Sequence, residues 1–171
     1  MPEKFNAFEI FEMAEQVERN GARFYRRAAE LAQDEAAREL LLSLAGMEET
    51  HERTFAEMKQ ELATGEEAAA RLESYGETVH YLRAFADGLL FDPHAGTAER
   101  ITPETSLKEI LQMAIAAEKD SIAIYVGLRN LVPDAAGRER VDTIIREEMS
   151  HASVLSEHLA THLRHAGPRA E

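Results

Sequence analysis

Two Glu-x-x-His motifs stand at matching places in this chain, Glu48 with His51 and Glu148 with His151. Thirty residues before each lies a single Glu, Glu18 and Glu118. Residues three apart share one face of a helix, so each motif aims a carboxylate and an imidazole at one point. Such groups together hold divalent metal ions. Four carboxylates buried without positive partners would be prohibitively costly, and two divalent cations remove that cost. Two carboxylates can bridge the ions, the other two can each bind one of them, and each His supplies one nitrogen. An oxygen-rich set with some imidazole suits iron or manganese better than soft-metal chemistry. Two divalent ions, iron or manganese, are the expected occupants, with zinc as a further candidate.

The elements that must position these residues come as a repeat. Shifting the sequence by 100 aligns its two ends without a gap, with 14 identities between Glu9 and Glu57 and their counterparts. Glu9, Ile10, Met13, Ala14, Glu18, Tyr25, Asp34, Glu48, His51 and Glu57 all meet identical residues. A duplicated helical hairpin explains this. The sequence predicts helices from about Ala7 to Ala32, from Asp34 to about Ala63, from Ser106 to about Leu131, and from Ala135 to about His165. Asn6 with Glu9 and Ser106 with Glu109 read as capping boxes in the same register of the repeat. Asp34 and Pro133-Asp134 open the second helix of each pair. At ~1.5 Å rise per residue, Glu18 and Glu48 both fall near mid-helix and meet at one level of an antiparallel pair. The single domain, 1–171, therefore divides into a hairpin over 6–64, an insertion over 65–105 and a hairpin over 106–166. The insertion reads as an extra helix from Glu66 to Leu90, then a loop over Phe91–Thr97.

Composition removes several alternatives. There is no cysteine among the 171 residues, which excludes disulfides, thiolate zinc sites, a cysteine nucleophile and iron–sulfur clusters. The formal charge of −13 argues against nucleic acid, because phosphate would be repelled. No stretch is long and apolar enough to suggest a membrane span. The N-terminal MPEKFNAFEIFEM does not look like a signal peptide, so a cytoplasmic protein is expected.

The chain resembles the rubrerythrin family of the ferritin-like superfamily. The resemblance rests on Glu18 with Tyr25, on Glu48-Glu49-Thr50-His51, on Glu118 within AIAAEKDSIAIY, and on Glu148-Met149-Ser150-His151. It implies an all-α, ferritin-like four-helix bundle. It also implies terminal ligands at Glu18 and Glu118, bridging ligands at Glu48 and Glu148, and nitrogen ligands at His51 and His151. Rubrerythrins reduce hydrogen peroxide at a di-iron centre, in oxidative-stress defence. The expected function is thus reaction of a di-iron centre with peroxide or dioxygen. Ferroxidase or iron handling is the alternative, and a metal-stabilised scaffold without redox work is a third. Two departures stand out. The chain lacks the cysteine-ligated rubredoxin domain, so electrons would need a separate donor. Ser121 also stands where rubrerythrins place an extra Glu, three residues after the third-helix ligand.

Other residues carry readings of their own. Tyr25 and Tyr125 lie two turns beyond Glu18 and Glu118 on the same face, placed to donate hydrogen bonds to ligand carboxylates across the bundle. Glu77 and His80 form an Glu-x-x-His with no counterpart in the repeat, read as a surface coincidence. His158, His162 and His165 form a stripe that suits the negative end of a helix. Glu49 and Glu147, beside the ligands in sequence, are expected to be solvated. Tyr81, Leu82, Phe85, Leu89, Leu90 and Phe91 give the inserted helix an apolar face to cover. That face and the long connection predict a homodimer, one that could exchange hairpins between its chains.

Overall fold

The computed structural model describes residues 7–63, 98–132 and 134–166. Four helices make up nearly all of them: α1 (Ala7–Leu31), α2 (Glu35–Ala63), α3 (Leu107–Arg129) and α4 (Ala135–Ala166). Backbones approach closely within the α1–α2 and α3–α4 hairpins, while α1 meets α3 and α2 meets α4 at longer range. The expected helix over Glu66–Leu90, the Glu77/His80 pair, the apolar run from Tyr81 to Phe91 and the Asn6 cap lie outside the described residues.

Local chemistry explains the helix ends. Asp34 Oδ2 accepts from the Ala37 amide at 3.1 Å, and Asp134 Oδ1 from the Gly137 amide at 2.6 Å. These are equivalent caps at equivalent places in the two halves. Gly137 is required where the first half has Ala37, because a Cβ there would lie 2.6 Å from Val132 Cγ1 and 2.8 Å from Asp134 Oδ2. Ser106 and Glu109 form a complete capping box, with each side chain satisfying the other residue's amide. The third helix ends at Arg129, two residues before the expected Leu131. Its last turn tightens instead, with Asn130 and Leu131 donating three residues back to Gly127 and Leu128.

The core is split in two. At one end, the start of α1 (Ile10, Phe11, Ala14, Val17) packs with Phe55, Met58, Tyr125, Leu128, Val141 and Ile144. At the other, the end of α1 (Phe24, Tyr25, Ala28) packs with Leu41, Leu44, Ile110, Leu111, Ala114 and Leu155. The membership of these clusters shows α1 antiparallel to both α2 and α3, as an approximate two-fold requires. Between the two apolar plugs sit buried Glu18, Glu48, His51, Glu118, Glu148 and His151. Apolar packing closes this layer above and below. No helix among the described residues is long and apolar enough to cross a membrane.

Candidate metal centre

Each helix delivers its share at the same level: Glu18 from α1, Glu48 and His51 from α2, Glu118 from α3, Glu148 and His151 from α4. The repeat explains how, since each half places its lone Glu and its Glu-x-x-His at the same height. His51 Nδ1 lies 2.8 Å from Glu148 Oε1 and 3.5 Å from Glu18 Oε2. His151 Nδ1 lies 3.2 Å from Glu148 Oε2, 3.4 Å from Glu48 Oε1 and 3.7 Å from Glu118 Oε1. The two rings stand nearly parallel, with centroids 5.8 Å apart.

Ligand atoms fall into two overlapping sets, each confined within 4.8 Å. One comprises Glu18, Glu48, His51 and Glu148; the other comprises Glu48, Glu118, Glu148 and His151. Glu48 and Glu148 belong to both. Glu18 Oε2, Glu48 Oε1, His51 Nδ1 and Glu148 Oε1 are buried and, although close to one another, make no hydrogen bond of good geometry. Buried polar atoms left unsatisfied are costly, and a cation between them supplies the missing interaction. The donor set therefore fits two divalent ions, with Glu48 and Glu148 shared between them.

Electrostatics agree. Burial, and next the charge of Glu48, push the Glu18 carboxyl well above its ordinary value. Burial and a hydrogen bond with Glu148 push Glu118 up to about 9. Burial alone would lower the two imidazoles. The carboxylates of Glu148 and Glu18 close to its ring nevertheless raise His51 to about 11, and those of Glu118, Glu148 and Glu48 raise His151 to about 12. Burial works against an ionised Glu148, yet hydrogen bonds from Glu118, His151 and His51 hold it well below the usual carboxylate range. Without a cation, the cluster thus gathers protons to offset its own charge.

Both tyrosines are buried and reach across the bundle. The Tyr25 hydroxyl donates to Glu118 and the Tyr125 hydroxyl to Glu18, so each hairpin holds the other's lone Glu. Burial, and next the charge of the facing Glu, raise both phenols well above their ordinary value, which keeps them protonated as donors.

A crystal structure of a Thermotoga maritima protein, described as ferritin-like and diiron-carboxylate, superposes on this chain with a TM-score of 0.66 and 23% identity. The match covers 90% of this chain and 93% of that one. The fold is ferritin-like. No family model and no curated protein match the chain.

In this ferritin-like bundle a small cavity of about 30 Å³ opens between α1 and α3 and reaches the centre. Asn20, Gly21, Phe24, Tyr25, Glu48, Glu118 and Ser121 line it, with Val17 and Ala117. That volume accommodates about one small molecule of water size. Gly21 leaves room for Glu48, since a Cβ at that position would come within 3.1 Å of Glu48 Oε2.

Glu147 corrects the expectation that it is merely solvated. Its Oε2 lies 2.8 Å from His51 Nε2, although its side chain remains 45% exposed. The cross-bundle contact depends on how α4 lies against α2, which spacing along α4 alone does not reveal. Glu49, by contrast, pairs with Arg26 at the surface. Of the C-terminal histidine stripe, His165 Nδ1 lies 2.8 Å from the Thr161 carbonyl. None of its three members joins a metal-sized cluster among the described residues.

Proposed function

We propose that this chain is a rubrerythrin-like non-haem di-iron protein that reduces hydrogen peroxide or reacts with dioxygen. One observation carries the reading: two buried ligand sets that share Glu48 and Glu148 and end in one imidazole each. Such a set favours iron or manganese over soft-metal chemistry. Four carboxylates balance two divalent charges, so the loaded centre is neutral in a dry core. When bound, two ferrous ions supply the two electrons that, with two protons, convert one hydrogen peroxide to two waters. The chain's own residues fix geometry: Tyr25 and Tyr125 hold Glu118 and Glu18, and the apolar plugs keep bulk water out. The cavity at Gly21 and Ser121 admits only a small oxidant. Electrons to restore the ferrous state would come from outside this bundle, because these 171 residues hold no cysteine for an iron–sulfur relay.

Ferroxidase activity is the second reading, and Ser121 favours it. The cavity wall offers a hydroxyl where rubrerythrins place an extra carboxylate. Stopped-flow absorbance of the ferrous-loaded protein, mixed separately with peroxide and dioxygen, distinguishes the two. Faster ferric formation with peroxide, with iron retained, supports the peroxidase. Faster reaction with dioxygen followed by iron release supports the ferroxidase. Rates no higher than those of free ferrous iron reject both.

A further inference from the structure

The duplicated halves agree at all three ligand positions and differ at the residue just before the shared Glu: Met47 in the first half, Glu147 in the second. That difference bears on the imidazole nitrogens turned away from the centre. His51 presents Nδ1 to Glu18 and Glu148, while its Nε2 meets Glu147 at 2.8 Å. His151 presents Nδ1 to Glu48, Glu118 and Glu148 in the same way. Its Nε2, however, is buried and has no hydrogen-bond partner. The approximate two-fold that exchanges His51 with His151 also exchanges Glu147 with Met47. A thioether is only a weak acceptor and carries no charge.

A carboxylate that accepts the outer N–H of a metal-bound imidazole fixes its tautomer, locks the ring and makes the inner nitrogen a stronger donor. His51 has that support and His151 lacks it. A second observation falls on the same side: of the two unshared carboxylates, Glu118 lines the cavity between α1 and α3 and Glu18 does not, while neither imidazole reaches it.

We propose that the two metal positions are chemically inequivalent, with Glu147 as a positioning residue that makes the Glu18–His51 position the tighter one. The Glu118–His151 position is then the weaker, exchangeable one, and it is the one that the cavity reaches. The inference rests on reading the cluster as a two-metal centre. It assigns the ion supported by Glu147 a retained role and makes the ion beside Glu118 the one that meets small molecules or exchanges with the medium.

Stepwise Co(II) titration of the chelator-treated full chain, followed by visible absorbance and calorimetry, tests this. The wild type should fill in two steps at least about tenfold apart in affinity. Glu147→Gln should weaken the first step by about 10- to 100-fold and leave the second in place. Met47→Glu should tighten the second step and bring the two together. Both positions are partly exposed, so these changes leave the apolar core intact. In proton NMR of the Co(II)-loaded wild type, one coordinated imidazole N–H should exchange slowly with solvent. Met47→Glu should add a second slow N–H, a change that a purely structural role would not produce. Two equal steps, unmoved by either substitution, would overturn the inequivalence while keeping the two-metal centre. Failure of Co(II) to bind at all would overturn both.

Discussion

Glu48 and Glu148 differ from Glu18 and Glu118 in one respect that decides their roles: each lies within reach of both imidazoles' ligand sets. Loss of a shared ligand should therefore remove both ions, and loss of an unshared one mainly its own. Glu48→Ala and Glu148→Ala should purify with almost no metal, and Glu18→Ala with about one ion per chain. Equal losses in all of them would show the assignment of shared and unshared ligands to be wrong. The protons gathered by the cluster give a second prediction. In chelator-treated protein the raised carboxyl of Glu118 contributes stability that is fully present below pH 4.5 and lost as pH rises through about 9. The raised imidazole of His51 acts with the same sign, from 6.5 to about 11. Glu148, held low, has the opposite sign, and its contribution is lost only as pH falls below 4.5. Between pH 6.5 and 9 the stripped protein should thus become less heat-stable as pH rises. Metal ions displace these protons, so their affinity grows over the same window. Thermal melts with and without Mn(II) should diverge as pH rises, and curves that converge would contradict the protonation pattern.

The helices hold this polar layer by closing it at both ends. Phe55 is fully buried at one end, with its ring 4.9 Å from that of Tyr125 and 6.3 Å from that of Phe11. Phe55→Ala should cost about 3–5 kcal/mol in a urea unfolding experiment. A loss below about 1 kcal/mol would mean that this end is not packed as described. Much of this architecture is legible in the sequence because the determinants are local and occur twice. Asp34 and Asp134 cap the second helix of each half, Ser106 with Glu109 caps α3, and the Glu-x-x-His spacing alone fixes which face turns inward. Contacts between helices far apart in sequence are what spacing does not reveal. Glu147 touches His51 across 96 positions, and nothing on α4 distinguishes it from a solvated Glu. Gly21 is similar, since its importance comes from Glu48 on the neighbouring helix. The end of α3 was displaced by a smaller cause, a tightened last turn at Asn130 and Leu131.

At the scale of the molecule, one chain brings all six metal-facing side chains together. The connection of 40 residues from Glu66 to Thr105 is far longer than joining two hairpins requires. Its apolar residues, from Tyr81 to Phe91, are the basis for expecting a dimer. Light scattering should give about twice the chain mass of 19.1 kDa, and a value near 19.1 kDa at micromolar concentration would reject the dimer. Hairpin exchange between partners would preserve the same six contacts and leave that mass unchanged. The central claim, a two-metal centre in a ferritin-like bundle, is tested most directly by metal content. Protein purified without chelators, or loaded anaerobically with ferrous iron and desalted, should carry two ions per chain, and the Glu48→Ala, Glu148→Ala double variant should carry almost none. No more than a trace of any transition metal in the wild type after both treatments, or an equal content in the double variant, would contradict it.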